Sequence, residues 1–335
     1  MIPIVLALAA AQAFSAAAQS QTLKTVQDRG SLICGVNPSL EGFASKDANG
    51  QWSGFDVDFC RAVAAAIFDD PAKVQYVPLS AADRFDALKN KQIDVLSRNS
   101  TWTMGREGEN GVVFTGVTYY DGQAFLVPKS RNVQSALELD GSQVCVQPGT
   151  TTELNFVDFF EANHMKYVTV HETSADDMIA AYEAGQCNVL TTDASGLFAM
   201  RLRLAKPGDN MILPDIISKE PLGPAVRQDD MQWFNIVKWV NFAMINAEEL
   251  GVSSKTIDEA LKSHKPSVKR LVGTDGDFGK PFGLSGDWVV RIVRAVGNYA
   301  EVFDRNVGAH SKLGIPRGLN ESWSNGGIQY SPPIR

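Results

Sequence analysis

The sequence predicts an α/β protein of two similar lobes, each a mainly parallel sheet flanked by helices. Three observations carry that expectation. Short apolar stretches alternate with amphipathic segments through residues 32–97, and the same order recurs through 142–192. The chain has 335 residues, enough for about two domains with a substantial core in each. Its composition, 44% hydrophobic and 21% charged, is that of an ordinary globular chain and excludes a fibrous or disordered one.

Each element follows from a local pattern. Residues 32–36 (Leu-Ile-Cys-Gly-Val) read as a strand, and Asn49-Gly50 as a turn before Trp52. In 55–68, Phe55, Phe59, Val63 and Ile67 share one helical face. Residues 74–77 form the next expected strand, 84–89 a helix and 93–97 a third strand, completing a βαβαβ series. After Pro128 the series repeats: strand 142–147, helix 153–163, strand 167–170, helix 175–184, strand 188–192. From about residue 225 the pattern is helical, at 231–250, 254–264 and 288–303. The Gly-rich stretch 273–286, with Asp275 and Asp277, reads as a loop, and 318–335 as a tail along the surface.

Lys and Arg total 31 against 38 Asp and Glu, a formal net charge of -7. Nothing supplies a basic stripe for a phosphate backbone, so no nucleic-acid partner is expected. Beyond residue 18 no run of eighteen apolar residues occurs; 234–245 and 288–296 are broken by Lys238, Asn241, Arg291 and Arg294. No spanning helix is therefore expected. Residues 2–13 are nearly all apolar and Ala16-Ala17-Ala18 fits a cleavage site, so 1–18 reads as a secretory signal, although no Lys or Arg precedes it.

Cys34, Cys60, Cys145 and Cys187 show no CxxC and no metal-type spacing. An even count in an exported chain permits two disulfides in three connectivities. Proximity favours Cys34–Cys60 and Cys145–Cys187, each worth roughly 3–4 kcal/mol on the chain-entropy model. Four buried free thiols are the alternative.

Several motifs fail on inspection. Residues 273–280 (Gly-Thr-Asp-Gly-Asp-Phe-Gly-Lys) miss a phosphate loop because Gly273 is one residue too distant and Pro281 replaces the hydroxyl residue. As a calcium loop the stretch puts Gly279 where a ligand belongs. His164, His171, His264 and His310 are scattered, and His171-Glu172 reads as surface. No cofactor and no metal are expected.

Three places share a physical logic. The strand 93–97 runs into Arg98-Asn99-Ser100-Thr101, with Arg106 five positions beyond Thr101. Ligands of open α/β sheets bind at such carboxyl ends, where an Arg can hold a carboxylate bidentately. A solvated ion pair is the plainer reading of Arg106. Second, 144–153 gives a strand, a Gly149 turn and a helix start in which Thr151 or Thr152 is either a cap or part of an anion site. Third, Asp193 ends a strand of the second series, as a helix cap or as the partner of an ammonium group. Two anion cradles and one carboxylate facing each other across two lobes suit an α-amino acid zwitterion.

On Gly54-Phe55-Asp56-Val57-Asp58, Ile93-Asp94 with Thr101 and Arg106, Gly149-Thr150-Thr151 and Thr192-Asp193, the chain from about 23 to 230 resembles bacterial extracellular solute-binding proteins for polar amino acids, the receptors of ABC importers. It is most similar to their general L-amino-acid subgroup, which shares the 53–58 segment and a long Gly/Asp-rich C-terminal extension. The resemblance implies a type II periplasmic-binding-protein fold, with lobe 1 from 19–124 and 222–270, lobe 2 from 125–221, and a helical extension, 271–335, packed on lobe 1. Two crossing strands are expected near 123–127 and 218–223. Arg106 would clamp the ligand α-carboxylate with Thr101 and Thr151, while Asn99 and Asp193 would take the α-ammonium. The side-chain pocket would be lined by Leu40, Phe43, Ala81 and Arg84. Leu40 stands where many relatives keep a stacking aromatic, which implies broad selectivity. Arg84 stands where acidic-amino-acid receptors hold a side-chain carboxylate, but reads equally as a structural charge at a helix start.

The expected function is thus a periplasmic, monomeric receptor that closes on L-amino acids by hinge motion and docks on a membrane permease. The resemblance also offers an enzyme, a dehydratase on the same scaffold acting on an amino-acid-like substrate, for which Glu41 is the available acid. A sensory module ranks last, since no anchor or signalling domain follows.

Overall fold

The computed structural model describes residues 21–335, and the expected signal over 1–18 lies outside them. Two five-stranded sheets form the two lobes. In the first, Leu32–Val36 pairs in parallel with Val74–Pro78 and Val95–Leu96. Ala225–Arg227 runs antiparallel between Val95–Leu96 and Val112–Phe114, so the chain returns to this sheet after building the second. In the second, Ser142–Val146 pairs in parallel with Tyr167–His171 and Val189–Asp193. Gln123–Pro128 lies antiparallel between Val189–Asp193 and Asn210–Ile212. The expected βαβαβ order is present in both sheets, and antiparallel strands complete each.

A two-stranded ribbon, Tyr119–Asp121 against Glu220–Leu222, joins the sheets. The outgoing crossing therefore precedes 123–127, where it was expected. Residues 123–127 belong to an interior strand instead: the apolar run 124–127 is buried between strands on both sides, and the buried Gln123 donates to the Thr152 carbonyl and the Thr191 hydroxyl, each at 2.8 Å.

The helix Phe55–Phe68 is buried on nearly every face because it is covered twice, by the first sheet and by the helix Trp288–Val296. Its Cys60 is bonded to Cys34 of the interior strand Leu32–Val36, with Cα atoms 6.4 Å apart. The second disulfide, Cys145–Cys187, ties Ser142–Val146 to the turn before Val189–Asp193, with Cα atoms 5.7 Å apart. Of the three connectivities, the two local pairings are the ones formed.

The C-terminal segment departs from expectation in three places. The helix expected over 288–303 is broken into Trp288–Val296 and Tyr299–Asn306. Gly297 takes φ +84°, and Asn298 starts the second helix in a capping box with Glu301. The stretch 254–264 holds only one helical turn, Ile257–Ala260. The tail expected on the surface buries Asn320, Gln329 and Ser331. Asn320 exchanges hydrogen bonds with the Tyr120 backbone (2.7 and 3.0 Å), and Tyr299 Oη and Gln329 Nε2 donate to the Thr118 carbonyl (2.8 and 3.2 Å). This segment thus braces the ribbon strand Tyr119–Asp121 and the residue that precedes it. Among the described residues, no helix is long and apolar enough to cross a membrane.

Candidate functional site

A cleft opens between the lobes at the carboxyl ends of Val95–Leu96, Ser142–Val146 and Val189–Asp193, where open α/β sheets place their ligands. Asn37, Arg84, Arg98, Asn99, Thr101 and Arg106 line it from the first lobe. Gln147, Thr150, Thr151, Thr152, Thr192 and Asp193 line it from the second. Asn99, Thr101, Arg106, Thr151 and Asp193, five residues drawn from three distant stretches, are brought into this one cavity of about 50 Å³.

Arg106 sits on the short helix Met104–Asn110, whose cap Thr103 accepts the Arg106 N–H at 3.2 Å. Its Nη1 donates to the Thr101 carbonyl at 2.7 Å, and its guanidinium lies 5.4 Å from the Phe85 ring centroid. The remaining guanidinium donors have no protein acceptor among the described residues, so Arg106 is a half-used fork rather than a solvated surface pair.

Asn99 is held at φ +31° by two contacts: its N–H donates to Asp56 Oδ2 at 2.9 Å, and its side-chain oxygen accepts from Asn37 Nδ2 at 3.1 Å. Asp56 begins the helix Phe55–Phe68, so this carboxylate fixes the loop from the strand into the site. Burial pushes Asp56 up to about 6, opposed by the Asn99 N–H, the Ser97 hydroxyl and Arg98.

Glu220, on the ribbon, is buried and was not singled out from sequence. Its Oε2 accepts from Thr151 Oγ1 at 2.9 Å and from the Thr101 hydroxyl; its Oε1 accepts from Asn155 Nδ2 and Ser218 Oγ, each at 2.7 Å. One carboxylate on the hinge therefore joins both lobes. A hydroxyl has one proton, so Thr101 and Thr151, their oxygens 3.3 Å apart, present lone pairs to the cleft. The signal in the sequence was faint: one Glu beside Pro221 in a segment read only as a crossing.

Asp193 precedes the helix Ala194–Arg203 but makes no cap bond, which removes its plainer reading. Burial, then Asp121 and Glu220, push its carboxyl well above the usual range, against Arg106 and Arg84. Asp121, bonded by the Ser195 N–H and hydroxyl, is pushed up to about 6, mainly by burial. Asp121, Asp193 and Glu220 thus face Arg84, Arg98 and Arg106, and the near balance keeps this many buried charges tolerable.

The four residues expected in a side-chain pocket part company. Arg84 lines the cleft at 3% exposure, stacked 4.8 Å from the Phe85 centroid; its Nη1 donates to the Ala81 carbonyl and its Nε has no acceptor among the described residues. Burial, then Arg98 and Arg106, hold its pKa well below the usual arginine value. Ala81 serves through that carbonyl and does not line the cavity. Leu40 lines an adjoining cavity of about 340 Å³. Phe43 is a correction: the tight turn that bridges Leu40 to Ala44 aims its ring into the core, with centroids 5.2 Å from Tyr119 and 6.1 Å from Phe55. The helix N-cap at the second cradle is Thr150, one residue before the two considered, accepting the Glu153 N–H. Arg98, Asn37 and Gln147 are further omissions, although Arg98 neighbours Asn99; all three line both cavities. Glu41 lines neither and pairs with Lys312 at 3.4 Å.

Two α/β lobes joined by a ribbon and meeting on a charge-matched cleft define a two-lobed ligand-binding protein, the architecture that closes around its ligand by hinge motion. The chain belongs to the bacterial extracellular solute-binding proteins, family 3, whose model matches residues 32–257. It is 54% identical over 323 residues to the General L-amino acid-binding periplasmic protein AapJ of Rhizobium johnstonii, covering 96% of this chain and 95% of that one. It is 50% identical over 329 residues to the Glutamate/glutamine/aspartate/asparagine-binding protein BztA of Rhodobacter capsulatus, covering 98% and 97%. The structure of an ABC transporter/periplasmic binding protein from Brucella ovis with glutathione bound matches with a TM-score of 0.93 at 50% identity, over 94% of this chain and 100% of that one. These relatives are transport binding proteins. The chain is accordingly a solute-binding protein and not an enzyme, and the dehydratase alternative, with its misplaced Glu41, is set aside.

Proposed function

We propose that the protein is a periplasmic receptor that captures L-amino acids of broad, mainly polar type between its lobes and delivers them, as a monomer, to the membrane permease of an ABC importer. The observation that carries this reading is the cleft itself, where an unsaturated Arg106 and a buried Asp193 stand on opposite lobes. Arg106 takes the α-carboxylate, helped by N–H groups at the start of the helix Thr151–Ala162, which lack intrahelical acceptors. Asp193 takes the α-ammonium with Asn99. The lone pairs of Thr101 and Thr151 suit the ammonium side, because Glu220 holds their protons. Arg84 and Arg98 favour a side-chain carboxylate or amide carbonyl, in keeping with the names of the Rhizobium and Rhodobacter relatives. The glutathione in the Brucella ovis structure carries the same head group on its γ-glutamyl unit.

Calorimetric titration of ligand-stripped protein with a panel of L-amino acids tests the proposal. One-to-one binding to many polar members, with glutamate and glutamine among the tightest, is expected. Absence of binding to every member would reject the zwitterion site.

A further inference from the structure

We infer that Tyr299, Arg317, Asn320 and Gln329, all beyond the stretch that the family model matches, are positioning residues for ligand capture. They hold the outgoing strand of the ribbon to the first lobe, so that closure turns between two adjacent rungs of the ribbon and brings Asp193 onto a ligand held by Arg106. The inference rests on the amino-acid reading above for its probe and for the roles of those two site residues.

A two-stranded ribbon has a free edge on each side, and its backbone groups need partners. On the outer edge Asn320 serves Tyr120 as a third strand would: its Oδ1 accepts the Tyr120 N–H at 2.7 Å and its Nδ2 donates to the Tyr120 carbonyl at 3.0 Å. Asn320 is 4% exposed and is itself fixed. Arg317 Nε and Nη2 donate to the Asn320 backbone carbonyl (3.1 and 2.8 Å), and Nη2 pairs with Glu248 of the helix Met231–Glu249 at 3.0 Å. The same guanidinium lies 5.2 Å from the Tyr299 ring centroid, while Tyr299 Oη and Gln329 Nε2 close on the Thr118 carbonyl. The Tyr119 ring packs on Phe43, Phe55 and Phe303 in the core of the first lobe. On the facing strand, the Pro221 carbonyl accepts the Trp102 N–H at 2.8 Å and Leu222 bridges to Thr101. The rung Tyr120–Pro221 therefore moves with the first lobe.

One rung further on, the partners change lobe. Asp121 accepts the N–H (3.3 Å) and the hydroxyl of Ser195 in the helix Ala194–Arg203, and the Gly122 carbonyl accepts the Ala194 N–H at 2.8 Å. Opposite Asp121 stands Glu220, three of whose partners, Thr151, Asn155 and Ser218, belong to the second lobe. The turning point is thus confined between the Tyr120–Pro221 and Asp121–Glu220 rungs. So short a pivot fixes where Asp193, two residues before Ser195, arrives relative to Arg106. Without the Asn320 contacts the bend spreads back to Thr118, the lobes close in a spread of orientations, and affinity is lost to the ordering that the ligand must then supply.

The test joins calorimetry with L-glutamine to pulsed electron paramagnetic resonance between nitroxides on Lys89→Cys of the first lobe and Lys166→Cys of the second, both exposed positions. It compares the otherwise unaltered protein with Asn320→Ala and Tyr299→Phe, each with and without L-glutamine. Asn320→Ala should broaden the interlobe distance in both states and raise the Kd roughly tenfold; Tyr299→Phe, which keeps the ring and deletes one hydroxyl, should do both to a smaller degree. If Asn320→Ala does not fold, Tyr299→Phe decides. Distances as narrow as in the unaltered protein would overturn the inference even where affinity falls, because a contact that only stabilises the fold does not move the pivot. Broadened distances with unchanged affinity would overturn the link to capture. Failure of the unaltered protein to bind L-glutamine would overturn the amino-acid reading, and the ligand-free distances would still judge the brace.

Discussion

At Arg106 the fork of the guanidinium matters more than its charge. One arm is fixed on the Thr101 carbonyl and the other donors are unspent, so a planar carboxylate can dock without reorganisation. Arg106→Ala should raise the Kd for L-amino acids by roughly 10- to 100-fold, as expected for a charged hydrogen-bonded pair, and Arg106→Lys should recover only part of it. An Arg106→Lys titration indistinguishable from wild type would remove the bidentate role. Glu220 makes a different demand. Glu220→Gln keeps the volume but places an amide N–H₂ among donors that now address carboxylate oxygens. Affinity should fall roughly tenfold through loss of the interlobe latch, with the circular dichroism spectrum unchanged. Arg106 and Asp193 were legible in the sequence because Asp193 ends a strand with a charge and Arg106 follows a short polar stretch beyond the carboxyl end of another. Glu220 was not, because its partners, Thr101, Thr151 and Asn155, lie 65 to 119 residues away along the chain.

The element that reaches furthest is the helix Phe55–Phe68 with its entry. Gly54 takes φ +134°, and a Cβ there would strike the Phe43 backbone carbonyl. The loop is held to the helix start by the Phe55 N–H on Gly42 O (2.9 Å) and the Asp56 N–H on Phe43 O (3.0 Å). Gly54→Ala should therefore cost about 2 kcal/mol or more, read as a lower Tm by scanning calorimetry, and should also weaken ligand binding through Asp56. A Tm within a degree of wild type would mean the entry relaxes freely. This helix was readable in full, since its apolar period and its Gly-Phe-Asp start agree. The 288–303 helix was misread at one point: the apolar period continues across Gly297, and only the cap at Asn298 reveals the break.

For the molecule as a whole, the hinge concentrates buried charge. Burial first, in each case, pushes Asp56 and Asp121 up to about 6 and Asp193 well above the carboxylate range. A carboxylate with a raised folded-state pKa stabilises the fold while protonated; that contribution is full below about pH 4 and is lost as pH rises through about 6. Asp177, Asp287 and Asp304 are shifted downward, so their contribution is lost only as pH falls below about 4. Between these limits the raised group dominates. The urea midpoint of the ligand-free protein should increase from pH 7.5 to pH 5, whereas affinity for L-amino acids should decrease, because the ammonium needs Asp193 ionised. A urea midpoint that falls over this interval would contradict the burial of these carboxylates. The extension enters at this scale too. The family model ends at 257, yet Tyr299, Asn320 and Gln329 hold the ribbon strand Tyr119–Asp121 and Thr118 before it.

By itself the sequence determined the two βαβαβ series, the helix Phe55–Phe68, the local disulfide pairing it favoured, and the charged residues at strand ends. All of these rest on periodicity and spacing within a few tens of residues. Tertiary structure decided what depends on bringing remote segments together: the interior place of Gln123–Pro128, the inward turn of Phe43, the carboxylate of Glu220 between two lobes, and the shared wall at Arg98. Side-chain direction and burial are set by whichever surface arrives from elsewhere in the chain, and no local pattern encodes that arrival.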